Sequence, residues 1–535
     1  MPKQETLRLG PILDEMSAPG TMAIRYSWLA GYGRLQRRPS GHARRARIGR
    51  RRLTTWLLRA VAVVLLFVVG IWTVLVIPYW TEVAPLCKVS PESLLAVDAR
   101  PLIEYYVHGR GMGHFQRSTM VSEFLNHHGY DVRLFLPDHL QDMFRSSWDY
   151  NSTRTGITTL ATLQPLTRMD PYRTFVFVRE QIRHQCQLSW TEQRFPMMVI
   201  TDGDVSGMYR AAMGSIPVVS LSHGQVYYLA EQPPSMSKEL QHAWGQQYLL
   251  NMASAIFANY VIAVHFDTTS LVKRVGAWTP GQVVPPMIRP AVLRLARVRR
   301  GLDPAPATLV PMVSERPLVV CYFRDGNGLK VVEALLRSDI NVVLFDRDTT
   351  TFHAALPAAS DISQLTRVAD PSLMVPYLYH AHGVASSAGF QLMSECIAIG
   401  LPMLAMHTEK DTEQRLNVAM SPGFVTGTSF EDLGRLLDSR FHLRNRRHVR
   451  KILDGFLISV RRQQHCARST NICALGKATT ETRDARDVLL GIVEETRKTM
   501  QSKIGLGSGQ ELHPQLPPLV LRSNSRVQKS KAEVI

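Results

Sequence analysis

Two stretches of this chain hold residues whose types and spacing suit chemistry. The first is Gly109-Arg110-Gly111-Met112-Gly113-His114, with Arg117 three residues on. Imidazole titrates near neutrality and can take a proton from a hydroxyl. His114, at a glycine-rich turn, is therefore a candidate general base, the alternative being a helix-capping or backbone-positioning histidine. Asp202 ends a later apolar stretch and would orient His114 or serve as the base itself. His223 comes after another such stretch and reads as pocket wall, while Arg117 either neutralises phosphate or packs on a helix surface.

The second stretch runs from Gly383 to Asn417. An apolar strand feeds the small turn Ser387-Ala388-Gly389, which opens a helix. Unpaired N–H groups at such a start favour a diphosphate, and small side chains let it approach the backbone. Glu395 falls roughly one and a half turns along that helix, placed to accept hydrogen bonds from ribose hydroxyls. Glu413 and Gln414 open the helix after the next strand, where they would meet sugar hydroxyls, and Asn417 lies one turn further. The bland alternative is an ordinary βαβ unit in which Glu395 is a solvated helix residue. Asp202-Gly203-Asp204 could hold a cation as an Asp-x-Asp triplet, but it reads better as a turn with Asp204 capping a helix, so no metal is assigned.

The elements that position these residues alternate. Strands at Ile103–His108, Val132–Leu136, Met197–Thr201, Ile216–Ser222 and Tyr260–Val264 are separated by helical patterns, one of them around Met236–Ala258. The alternation restarts with strands at Leu318–Phe323, Asn341–Phe345, Gly383–Ser386 and Pro402–Met406. Helices at Gly328–Arg337, Pro371–His380, Phe390–Ile399 and Thr412–Met420 lie among them. Such order implies parallel, doubly wound sheets with ligands beyond the carboxyl ends of the strands. The expected fold class is α/β, with two Rossmann-like domains. They divide as 101–290 and 317–503, the second with a helical extension, joined by an Arg/Pro/Ala-rich linker at 291–316. Residues 504–535 form a polar tail of disordered composition.

The net charge of +18 over 535 residues is concentrated N-terminally, with Arg37, Arg38, Arg44, Arg45, Arg47, Arg50, Arg51, Arg52 and Arg59 uninterrupted by an acid. The segment just after these arginines excludes a nucleic-acid arm. Ala60–Ile77 carries no charge over about 18 residues, enough to cross a bilayer, and Trp56, Trp72, Tyr79 and Trp80 suit its interfaces. The expectation is a basic cytoplasmic tail (1–52), an uncleaved transmembrane signal-anchor (53–80) and a stem (81–100), with the remainder luminal: a type II membrane protein. The sequon Asn151-Ser152-Thr153 agrees with that side. The six cysteines have no zinc-ligand spacing, and Cys466 with Cys473 could pair in an oxidising lumen or remain thiols.

The ordered set Gly389, Phe390, Glu395, Gly400, Pro402, Glu413, Gln414 and Asn417 resembles the donor-binding region of two-domain (GT-B) glycosyltransferases. It is most like the family of the bacterial peptidoglycan N-acetylglucosaminyltransferase (family 28-like). Gly111-Met112-Gly113-His114 with Arg117 looks like the acceptor-side loop of that group, and Asp202 and Ile216–His223 also match. The resemblance spans most of residues 101–425. It implies an inverting transferase that moves a hexose or N-acetylhexosamine from a nucleoside-diphosphate sugar, usually UDP-linked, with no obligatory cofactor. The acceptor would be a lipid-linked glycan or a protein glycan in the Golgi or endoplasmic reticulum. Ser387-Ala388-Gly389 departs from the His-Gly-Gly of many relatives, which removes an imidazole from the diphosphate grip. Two other readings stand beside it: a nucleotide-sugar epimerase of the same fold, and a non-catalytic membrane scaffold that keeps it. An oxidoreductase is disfavoured because Gly109-x-Gly111-x-Gly113 lacks the dinucleotide spacing.

Overall fold

The computed structural model describes residues 77–88, 100–108, 112–137, 155–160, 171–266, 271, 274, 277–304, 315–323, 328–346, 362–370, 373–421, 425–436, 443–468 and 485–505. The first half contains α1 (Ile77–Cys87), β1 (Leu102–Val107), α2 (Met112–His127), β2 (Asp131–Pro137), β3 (Thr155–Leu160), α3 (Pro171–Thr191) and β4 (Pro196–Asp202). It continues through α4 (Val205–Gly214), β5 (Val218–Ser222), α5 (Val226–Leu229), α6 (Lys238–Ala255), β6 (Tyr260–Val264) and β7 (Gly281–Val284). The second half comprises α7 (Pro290–Arg299), β8 (Leu318–Tyr322), α8 (Leu329–Leu336), β9 (Asn341–Phe345), β10 (Leu365–Val368), α9 (Met374–His380), β11 (Gly383–Ser387), α10 (Phe390–Ile399), β12 (Met403–His407) and α11 (Thr412–Ala419). After these come β13 (Val425–Ser429), α12 (Phe430–Leu436), α13 (Leu443–Arg468) and α14 (Ala485–Gly505).

Two sheets result, each pairing in parallel throughout. The first has seven strands in the order β3-β2-β1-β4-β5-β6-β7, the second six in the order β10-β9-β8-β11-β12-β13. Both are doubly wound, as expected. Strands buried on both faces need apolar residues at every position, which is why β6 reads Tyr-Val-Ile-Ala-Val without a break. Alternate residues feed opposite cores. Along β8, Val319 and Cys321 face α8 and α13, whereas Leu318 and Val320 face α7, α9 and α10. Helix ends are held by local chemistry. Asp204 caps α4 by accepting from Ser206 N at 2.8 Å, as its reading as a cap requires. Gly400 ends α10 in the left-handed region at φ 77°.

Three boundaries differ from expectation. Residues 81–87, expected as stem, continue the helix begun at Ile77 and pack on the first domain. Cys87 and Cys186 form a disulfide across 99 positions, Trp190 Nε1 donates to Leu86 O at 2.6 Å, and the buried Arg210 donates to Cys87 O at 3.3 Å. Residues 291–299, expected as the start of the linker, belong to α7, whose Val292 and Leu295 enter the core of the second domain. Arg299 donates to the carbonyls of Leu378, Tyr379 and Ala381 at the end of α9, a cation at a helix C-terminus. The helical extension divides too: α13 covers the second sheet, but Val488, Leu489, Ile492 and Val493 of α14 belong to the core of the first domain.

The span Ala60–Ile77 lies outside the described residues apart from Ile77, as do the sequon and the side chains of Cys466 and Cys473. Among the described residues no helix is long and apolar enough to cross a membrane.

Replacing both Cys87 and Cys186 by serine removes a cross-link that closes a loop of 99 positions. Urea unfolding of the full chain is expected to show a loss of about 2–5 kcal/mol, reproduced in the wild type by reductant.

Candidate functional site

In each sheet the winding reverses between the first strand and its fourth-formed neighbour, at β1/β4 and at β8/β11. These switch points open the crevices in which doubly wound folds hold ligands. His114 sits in the first turn of α2, just beyond β1, and Asp202 is the last residue of β4, so the first switch point brings together two residues separated by 88 positions.

Their contact is specific. His114 Nδ1 lies 2.9 Å from Asp202 Oδ1. Arg117, one turn along α2, donates through Nε to Asp202 Oδ2 at 2.9 Å and through NH2 to Oδ1 at 2.7 Å. Asp202 is fully buried. Burial alone would raise its carboxyl, but Arg117 and His114 outweigh that and hold it below the ordinary value. With the ring proton on Nδ1, directed at this acceptor-only carboxylate, Nε2 presents its lone pair; Arg117 NH2, itself a donor, stands 3.0 Å from the same Nδ1. Nε2 has no partner among the described residues, and the His114 side chain is 23% exposed. Arg117 is buried and clamps Asp202, so it does not lie on an open helix surface. Within the Asp-Gly-Asp triplet, Asp202 is taken by these two groups and Asp204 Oδ1 caps α4. The ring of His108, at the end of β1, meets that of His114 edge-on at 5.3 Å, a second imidazole that the sequence pattern did not single out.

Across the crevice lies the second switch point. Ser387, Ala388 and Gly389 link β11 to α10, and all are small or buried as expected. Their own amides are partly used, Ala388 N donating to Met406 O and Gly389 N to Ser387 O, each at 2.7 Å. Gly389 offers α10 no side-chain cap, so the amides left for an anion are those of the first turn of α10. Gly113 permits the approach of the two domains, because a Cβ there would stand 3.2 Å from Gln391 Cβ. Gly111 lies outside the described residues.

The remaining motif residues are drawn into the junction between the domains. His223 stacks on Phe390 with centroids 3.8 Å apart, and its Nε2 is 2.6 Å from Asn417 Oδ1. Asn417 in turn donates to Ala388 O at 3.0 Å. His223 is thus a strut between domains as well as pocket wall. Its burial, with His265 beside it, pushes the ring down to about 3, despite oxygen acceptors at both nitrogens. Glu395 is not solvated. Arg289, at the entry to α7, donates to it through Nε at 2.7 Å and NH2 at 2.6 Å, and Gln391 bridges Glu395 Oε1 to Met287 O. Both oxygens expected to face a ribose are held by the hinge between the domains. Glu413 lies close enough to Arg117 to act on it electrostatically. Gln414 is buried, and its Oε1 has no hydrogen-bond partner.

No family model matches the chain, and no curated protein matches it by sequence. Solved structures do. Phytolacca americana UGT2, complexed with UDP-2fluoro-glucose and pterostilbene, is 17% identical with a TM-score of 0.46 over 75% of this chain and 99% of its own. MurG of Acinetobacter baumannii is 14% identical with a TM-score of 0.40, over 69% and 99%. A UDP-glucosyltransferase from Polygonum tinctorium is 12% identical with a TM-score of 0.47, over 75% and 100%. The two strand orders, independently of these alignments, establish a pair of Rossmann-like domains.

Glu395→Ala would leave the Arg289 cation buried and unpaired, so thermal and urea unfolding are expected to show a loss of about 3–5 kcal/mol. Joint replacement with Arg289→Met should recover much of it. His223 supplies a pH dependence with a definite sign. Unfolded, the ring gains a proton near 6.5; folded, only at about 3. The unfolded chain then binds the extra proton, so stability is full above about pH 6.5 and falls as the pH drops toward 3. In urea titrations, His223→Phe should lose about 2 kcal/mol less than the wild type between pH 7 and 5.

Proposed function

We propose that the chain is a membrane-anchored inverting glycosyltransferase using a nucleoside-diphosphate sugar. The observation that carries the reading is the Asp202–His114 pair, with Nε2 unoccupied, set across a crevice from the uncapped start of α10. In this scheme His114 Nε2 takes the proton of an acceptor hydroxyl as that oxygen bonds to the anomeric carbon, and the bond from that carbon to the diphosphate oxygen breaks. Asp202 steadies the imidazolium so formed. The first-turn amides of α10, behind Ser387-Ala388-Gly389, face the charge that builds on the leaving diphosphate. Gln414 Oε1, a buried acceptor without a partner, is supplied with one by a sugar hydroxyl, and Glu413 stands beside it.

UDP is the expected nucleotide and a hexose or N-acetylhexosamine the expected sugar, with no metal required. The Arg-rich segment followed by Ala60–Ile77 supports a type II anchor through 53–80. The Cys87–Cys186 disulfide supports an oxidising lumen, endoplasmic reticulum or Golgi. The acceptor class that fits is a lipid- or protein-linked glycan, and the basic tail is assigned to topology, with no nucleic-acid partner.

The test is a panel of nucleotide sugars on the detergent-solubilised full chain, scored by release of nucleoside diphosphate with and without chelator. Turnover is expected with a UDP-sugar and unchanged by chelation, and His114→Gln should lower kcat by about 10²–10⁴-fold. Absence of turnover and of binding with every donor would remove the enzyme reading; full activity in His114→Gln would remove the base.

A further inference from the structure

The Asp202 carboxylate does not act on His114 alone. Its Oδ1 is shared between His114 Nδ1 at 2.9 Å and Arg117 NH2 at 2.7 Å, its Oδ2 is held by Arg117 Nε, and that same NH2 stands 3.0 Å from His114 Nδ1. With Nδ1 protonated, as the base role requires, Nδ1 and NH2 both donate to one oxygen, and they repel each other. Arg117 is 3% exposed, so neither water nor salt screens it. Its burial works against its charge, but Asp202 more than compensates, so the guanidinium stays a full cation. The other groups facing this cluster are His108 and Tyr105 from β1, His223 beyond β5 and Glu413 of α11.

We infer that Arg117 is a positioning residue that sets the proton affinity of His114, by occupying the orienting carboxylate and opposing the imidazolium with its own cation. The inference rests on the reading of His114 as the base. An unopposed aspartate raises the proton affinity of a neighbouring imidazole. At neutral pH it would fill part of the enzyme's Nε2 sites with solvent protons and so disable them as bases. The Arg117 clamp keeps the orienting hydrogen bond while cancelling much of that effect. It also accounts for a buried arginine placed against the site.

The test reads His114 directly and needs no turnover. Diethylpyrocarbonate acylates an imidazole only in its neutral form, so its rate at His114, followed by mass spectrometry of the peptide on the full chain from about pH 5 to 8, yields a midpoint. In Arg117→Gln the midpoint should move upward by about one pH unit or more, and in Arg117→Lys, which keeps the charge, by less. A purely structural role would change the rate at every pH and leave the midpoint in place, and that result in Arg117→Gln would overturn the inference. Arg117→Gln leaves Asp202 buried without its partner, so Arg117→Gln with Asp202→Asn provides a variant with no unpaired charge. Its midpoint should match the wild type, because both opposing charges are gone; a fall of about one unit or more would mean that only Asp202 acts, and would overturn the inference as well. A shifted midpoint in a chain that turns over no donor would remove the transferase reading alone, so the two fail separately.

Discussion

A single carboxylate organises the first domain's half of the site. Asp202 terminates β4, and its two oxygens are divided between a guanidinium and an imidazole that reach it from one turn of α2. Because the group is buried, the arrangement is close to all-or-none. A charge out of water must be matched by charged and hydrogen-bonded partners, so Asp202 draws the start of α2 onto the end of β4. The crevice between β1 and β4 is held in shape by that attraction. The orientation of His114, with Nε2 outward, is a result of it.

The second domain reaches the same place by a different kind of bond. Its contacts with the first are mixed: aromatic stacking of Phe390 on His223, an amide link through Asn417, and the Arg289–Glu395 pair at the hinge. Phe390 and Leu416 are embedded in cores formed mainly by the first domain. Asn417 and Glu395, both expected to touch a donor, therefore also join the domains. Gln414, whose Oε1 stands unpartnered, differs from its neighbours in having capacity to spare.

The regular parts of this architecture were legible in the sequence. Tyr260–Val264, Asn341–Phe345 and Phe390–Ile399 are recovered with their expected limits, because unbroken apolar runs and a helix bounded by Gly389 and Gly400 are local signals. Short edge strands such as Gly281–Val284 and Leu365–Val368 have too few residues for a period to show. The helix Pro290–Arg299 was hidden by its arginines, although Val292, Leu295 and Ala296 form an apolar face beneath them. At the site, His114 and Asp202 were identifiable by type and by their position after strands. The arginine partners of Glu395 and Asp202 were not, because Arg289 lies 106 positions from the one and Arg117 85 from the other, and nothing local marks either pairing.

The return of α14 bears on the order in which the molecule can be made. Ile103, Val121, Leu134 and Ile200 share their core with Val488, Leu489, Ile492 and Val493. On the ribosome, that face of the first sheet therefore has only the part of its cover that α2 supplies until residues 485–505 have been synthesised. The second domain, whose core clusters end at Val460, is complete earlier. The half that begins first finishes last. During that interval an apolar surface of the first sheet is open, and it is the part of the nascent chain with most need of a chaperone.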